Sequence, residues 1–155
     1  MLIRHAKITE GYEIESLVKL CAEDSEGMMI TPEEANGRIS QSMISGFTHT
    51  MVVEVDGKIV GVVMGTMGMT KSSAHNMEIA MCMHPDFRGH GIGTQLMGIF
   101  VNEFSYMNMI AEVSESNDVI IKLLQGLNFK EVGRIPKGVR GKDEYKDKII
   151  LFYYG

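Results

Sequence analysis

Tryptophan is absent, cysteine occurs twice and proline three times among 155 residues. The two cysteines, Cys21 and Cys82, stand at no metal-like spacing, and His84 and His90 lack a supporting Cys, Asp or Glu, so no metal site is expected. No apolar run is long enough to cross a bilayer, and Met1 to Glu10 lacks the pattern of a signal peptide. A cytoplasmic protein without membrane contact is the default that follows. Positive charge is also short: a net charge of −5 argues against a nucleic-acid partner, which needs a basic face, and mildly favours a cationic one. Repeats, low-complexity tracts and linkers are missing too. One domain spanning residues 1–155 is expected, long enough to bury about two thirds of its unfolded surface. Methionine, by contrast, is plentiful at fourteen, a flexible filler for a core.

Leu2 to Ala6 reads as a short strand. Ile14, Leu17, Val18 and Cys21 then recur at the i, i+3, i+4, i+7 spacing of an amphipathic helix, with Glu10 and Glu13 at its positive end. Glu23 to Ile30 reads as an acidic loop. Thr31, Pro32 and Glu34 supply the cap, first-turn proline and capping box of a second helix, with Ala35, Ile39 and Met43 as its buried row and Gly46 at its end. His49 to Val55 and Lys58 to Met67 read as strands joined by Asp56-Gly57, a pair that favours a two-residue hairpin turn. Gly68 to Ser73 is a turn region. His75 to Met83 follows as a strand, with Met77, Ile79, Met81 and Met83 on one face and Glu78, Ala80 and Cys82 on the other.

Met107 to Val113 is the next strand, and Ser116 or Asn117 caps the helix after it. Val119, Ile120, Leu123 and Leu127 are its expected apolar face, and Asn128 suits a left-handed ending. Lys130 to Arg134 and Tyr145 to Tyr153 read as final strands around a basic loop, Ile135 to Glu144.

The most informative stretch runs from Glu78 to Phe104. An apolar strand ends at His84-Pro85, a loop of Arg88, Gly89, His90, Gly91, Ile92 and Gly93 follows, and a helix then buries Ile92, Leu96, Phe100 and Phe104. Glycines let backbone N–H groups approach a ligand closely, and a helix N-terminus offers unpaired donors and a positive dipole end. Together they make a cradle for phosphate or diphosphate. A dinucleotide fingerprint with Glu112 as the ribose carboxylate is a competing reading, but the last glycine from Gly89 falls one place early. No Walker A motif is present.

The loop fits R-x-x-G-x-G through Arg88, Gly91 and Gly93, and Asn117 lies eleven residues before Asn128-Phe129. In both motifs the chain resembles the GNAT N-acetyltransferase superfamily, closest in pattern to phosphinothricin-type and related small-molecule acetyltransferases. The resemblance implies an α/β fold: a mixed, mostly antiparallel sheet of about seven strands, splayed at the cofactor site, with helices on both faces. It implies acetyl-coenzyme A as acetyl donor. Met81 and Met83 would pair with the pantetheine arm through their backbones, Arg88, Gly89, Gly91, Ile92, Gly93 and Thr94 would surround the diphosphate, and Asn117 would contact the arm near its thiol end. Taken alone, Arg88 also fits a solvated turn charge and Asn117 an ordinary helix cap.

Acetyl transfer to an amine needs a neutral nucleophile and a departing thiol. An amine of pKa about 10.4 is mostly protonated at pH 7, and removing that proton is worth roughly 4 to 5 kcal/mol; protonating a thiolate near pKa 8.5 is worth about 2 kcal/mol at most. Glu78 is the best proton acceptor on offer, on the strand feeding the loop and where related enzymes carry a base. A cross-strand ion pair or a polar lining residue is the equally simple structural role. Cys82 reads as a small core residue rather than a nucleophile. Where many family members place a proton-donating tyrosine, the chain has Leu124, leaving solvent or a hydroxyl of Tyr106, Ser114 or Tyr145 to protonate the thiolate. Tyr145 and Asp147 resemble the Tyr-x-Asp that opens the last strand in phosphinothricin-like enzymes, as a turn or an acceptor contact. The acceptor would lie between the Glu23 to Ile30 and Ile135 to Glu144 loops. Expected partners are a small-molecule amine and a second copy of the chain in a homodimer. Acetylation of a protein N-terminus or lysine, and coenzyme A binding without turnover, are the alternatives.

Overall fold

A computed structural model describes residues 1–24, 38–141 and 143–155. Seven strands form one sheet in the order β1-β2-β3-β4-β5-β7-β6: β1 Leu2–His5, β2 Thr48–Val55, β3 Lys58–Met67, β4 Asn76–Met83, β5 Asn108–Ser114, β6 Lys130–Arg140 and β7 Tyr145–Tyr153. Every neighbouring pair is antiparallel except β4 with β5. Helices α1, Gly11–Asp24, and α2, Arg38–Ile44, pack on one face; α3, Ile92–Glu103, and α4, Asp118–Gly126, pack on the other.

The period-2 alternation of the strands divides the core accordingly. From β4, Met77, Ile79, Met81 and Met83 enter the core under α3 and α4, whereas Cys82 and Ala80 join Ile14, Leu17, Val18 and Cys21 of α1. Among the described residues eight methionines are buried, so much of that excess fills the interior. The hairpin between β2 and β3 turns at Asp56 and Gly57, with φ of 50° and 77°, the paired left-handed geometry that suits strand twist.

Three expectations need correction. Glu23 and Asp24 belong to α1 and not to a loop; the rest of the expected Glu23 to Ile30 loop, and the Thr31 to Glu34 helix start, lie outside the described residues. Most of the expected Ile135 to Glu144 loop belongs to β6, which runs to Arg140 through register shifts between Glu131 and Gly133 and between Ile135 and Val139. Lys137 takes φ of 55° in the second of these bulges, and the Asp147 carboxylate accepts its backbone N–H at 3.1 Å. On α4, Ile120, Leu123 and Leu127 pack against the core as expected, but Val119 is 76% exposed and Leu124, not on the expected face, is fully buried.

Candidate active site

The sheet comes apart in its middle. Strands β4 and β5 pair only at Asn76 with Asn108, Met77 with Met109 and Glu78 with Ile110, then diverge. His84 N–H donates to Val60 of β3 at 2.7 Å, and Asn108 N–H to the His75 carbonyl at 3.0 Å. In antiparallel pairing these bonds assign the even-numbered residues of β4 to β3, so the backbone groups of Met81 and Met83 face the opening. Glu78 is the last β4 residue paired across it, at the apex of a fork.

Beyond β4 the chain makes a short turn of 3-10 helix over Pro85–Phe87, capped by His84, whose Nδ1 accepts the Asp86 N–H at 3.1 Å. Arg88 folds back, its Nε donating to the Met83 carbonyl at 3.0 Å. Gly89 and Gly91 follow with φ of 80° and 76°, a conformation that costs glycine little and other residues about 1–2 kcal/mol. Gly91 is the N-cap of α3 and brings no capping side chain. Gln95 N–H donates to the Gly91 carbonyl, so Ile92, Gly93 and Thr94 stand in the first turn, whose N–H groups have no intrahelical acceptor. Gly93 has a packing reason as well, since a Cβ there would sit 3.3 Å from Met83 Cγ and 3.5 Å from Met81 Cε.

A cavity of about 550 Å³ opens at this point, and Met81, Met83, Arg88, Gly89, Gly91, Ile92, Gly93, Thr94 and Asn117 all line it. Its other walls are Cys82, Phe87, Val119, Ile120 and Leu123. Exposed Val119 is therefore a wall residue displaced from the core. Asn117 caps α4, its side chain accepting Ile120 N–H at 3.3 Å. The cavity thus joins open strand backbone, uncapped helix donors and an apolar wall.

Glu78 lies outside this lining, exposed on the opposite face of β4. Among the described residues its carboxylate has no ion-pair partner, so the cross-strand salt bridge considered from the sequence is not formed. Cys82 is unsuited to nucleophilic work. A hydrogen bond with Cys21 and burial push its thiol well above the usual range, and no disulfide forms. Sequence spacing gave no sign of that pairing, because the two cysteines meet only through the packing of α1 on β4.

Of the hydroxyls considered for Leu124, Ser114 is buried at the end of β5 within 2.9 Å of Ser116 Oγ, three residues before Asn117. Tyr106 follows the far end of α3, whose 12 residues put it roughly 18 Å from the loop. Tyr145 is exposed beside the final hairpin. Asp147 is held by structure: the Lys137 N–H and the Arg134 guanidinium at 3.1 Å keep its carboxyl below the usual range. Among the described residues, no group of His, Cys, Asp and Glu is arranged to hold a metal ion.

A family model described as the acetyltransferase (GNAT) family matches residues 13–129. The chain belongs to the GNAT acetyltransferase family. An acetyltransferase of Pectobacterium atrosepticum is 33% identical over 93 residues, which is 58% of this chain and 63% of that relative. The match thus spans under two thirds of the relative's length. An acetyltransferase from Salmonella typhimurium, solved with its cofactor acetyl-CoA, superimposes with a TM-score of 0.84 at 17% identity, over 99% of this chain and 93% of that one. A phosphinothricin acetyltransferase from Sinorhizobium meliloti, solved with acetyl-CoA, gives 0.82 at 18% identity, over 97% and 86%. At such identities these two likenesses show a shared fold. The open, mostly antiparallel sheet with helices on both faces is the GNAT fold. Among the described residues, no helix is long and apolar enough to cross a membrane.

Proposed function

We propose that this GNAT acetyltransferase moves an acetyl group from acetyl-coenzyme A directly to the primary amine of a small molecule or amino-acid-like acceptor, as a single domain in the cytoplasm. One observation carries the reading: a fork in the sheet opens beside uncapped helix donors, and a carboxylate without an ion-pair partner among the described residues stands at its apex. Bound acetyl-coenzyme A would supply an activated acyl group. The chain's part is to hold and deprotonate.

First-turn N–H groups at Ile92, Gly93 and Thr94, with Arg88, suit the diphosphate, since donors fixed at a helix N-terminus need little reorganisation. Met81 and Met83 offer the amides of the arm a strand edge left by β5. A backbone N–H there would also polarise a thioester oxygen, an effect worth a few kcal/mol for one donor. Val119, Ile120 and Leu123 keep the arm's other side dry. Glu78 takes the ammonium proton, the larger of the two proton costs. Leu124 withholds the usual donor for the thiol, and that favours coenzyme A binding without turnover as the second reading.

Calorimetry with acetyl-coenzyme A, then thiol release across a panel of amines, tests both. Saturable binding and release with some amine are expected. Glu78→Gln should cut turnover about a hundredfold at pH 7, the deficit shrinking as pH approaches the amine's own pKa. Binding without release for any amine would support the second reading. Failure to bind the cofactor would end both.

A further inference from the structure

Among the described residues, the face of the sheet that carries Glu78 is unevenly covered. Helices α1 and α2 pack over Val52, Val62, Met64 and Cys82, but Ile110 of β5 and Ile150 and Phe152 of β7 belong to neither core. These three are half-buried, on adjoining strands. Register places them with respect to the fork: Glu78 is level with Ile110, and Ile110 with Phe152. Cross-strand partners share a face, so carboxylate, isoleucine and phenylalanine form one transverse row. Phe152 also meets Tyr154 edge-on, ring centroids 4.7 Å apart, extending the apolar surface just past the end of β7.

On the other side of Glu78 the row turns polar, with Thr66 and then Thr48. On the same face, Glu112 of β5 is level with Ile150 and engaged by Lys148 Nζ at 3.3 Å, and Glu54 of β2 is engaged by Arg4 at 3.5 Å. Among the described residues of β4 and β5, Glu78 is therefore the acid left for an incoming cation. From β4 to β7 is two strand spacings, roughly 10 Å, about the length of a primary amine with a ring or branched chain attached. A hydrophilic amine would leave the Ile110, Ile150 and Phe152 surface wet, whereas an apolar body would cover it.

Resting on the acetyltransferase reading, we propose that the acceptor is a primary amine on an apolar body, aromatic or branched aliphatic, which lies across Ile110 and Phe152 with its nitrogen over Glu78. The fork lets that nitrogen meet the acyl group on the other side of the sheet, and lysine side chains or sugar amines are disfavoured.

Phenethylamine and ethanolamine, two primary amines differing in their bodies, are the probes. With the full-length protein saturated in acetyl-coenzyme A, KM for phenethylamine should be at least tenfold lower than for ethanolamine. Phe152→Ser should raise the phenethylamine KM about tenfold, leaving kcat within twofold and the ethanolamine KM unchanged. Ile110→Thr, which keeps a β-branched residue in the strand, should move KM in the same direction. Unchanged acetyl-coenzyme A affinity confirms that each variant is folded. Equal use of the two amines, or variants that leave their ratio alone, would overturn the proposal. If no amine turns over, the acetyltransferase reading falls by itself; calorimetry of both amines against coenzyme A-loaded protein then decides the apolar surface, equal or absent binding refuting it.

Discussion

The same substitution at two glycines of one loop-helix unit should move stability in opposite directions. Gly91 holds φ of 76° and a Cβ there would meet nothing within 4 Å, so Gly91→Ala adds strain without a clash. A left-handed L-residue costs about 1–2 kcal/mol, partly offset by lost freedom of the unfolded chain, leaving a net loss of about 1 kcal/mol. Gly98 lies inside α3 with ordinary helical φ, and its Cβ would touch only Leu127 Cδ2 at 4.0 Å. Gly98→Ala should therefore gain about 0.8–1 kcal/mol of helix propensity. At this chain length 1 kcal/mol moves Tm by roughly 2–4 °C. Thermal unfolding by circular dichroism should show Gly91→Ala lower by that amount, Gly98→Ala higher, and the double variant close to wild type. Gly91→Asn should fall less than Gly91→Ala, because asparagine tolerates the left-handed region. Shifts of the same sign at both sites would refute the reasoning, for they would mean that space and not φ sets the outcome.

Glu10 accepts two hydrogen bonds from Arg4, at 2.6 and 3.0 Å, and one from the Lys7 N–H at 2.7 Å, with the Arg4 bonds doing most to hold its carboxyl below the usual range. A depressed folded pKa stabilises above the ordinary value near 4.3 and loses that stability as pH falls through the folded value. Glu10→Gln should cost about 1 kcal/mol at pH 7, and its Tm should converge with wild type below about pH 4. Arg88→Lys removes the Nε bond to the Met83 carbonyl, and coenzyme A affinity by calorimetry should drop about tenfold, more than for Lys→Arg changes elsewhere on the surface. Cys82→Ser should retain more than a tenth of wild-type turnover in the thiol-release assay, since the protonated thiol is no nucleophile; a loss above a hundredfold would contradict direct transfer.

Residues whose role depends on local backbone chemistry were readable in the sequence. Asp56-Gly57 announces its turn, the alternation along Met77 to Met83 assigns both faces of β4, and the Arg88 to Gly93 spacing leads to one cavity because loop and helix start are contiguous. Features set by tertiary registration were not. The run Val119 to Leu124 is apolar at five of six positions, so periodicity leaves its phase open, and Leu124 is the one fully buried, in the core that also holds Phe129 and Met109. Pro136, Gly138 and the charges around them look like a loop, yet a bulge lets β6 carry them along the sheet edge. The Ile110 and Phe152 row required strand order, which no single segment encodes.

Only three residue pairs join β1 to β4 with β5, β7 and β6 through main-chain rungs. The protein therefore carries an unfinished edge in its interior, where most sheets are strongest. A guest that supplies amides along Met81 and Met83 would act as the missing rungs, stitching two half-sheets into one. Amide exchange at β4 and β5 should slow together on loading, and each turnover would then undo and remake part of the fold itself.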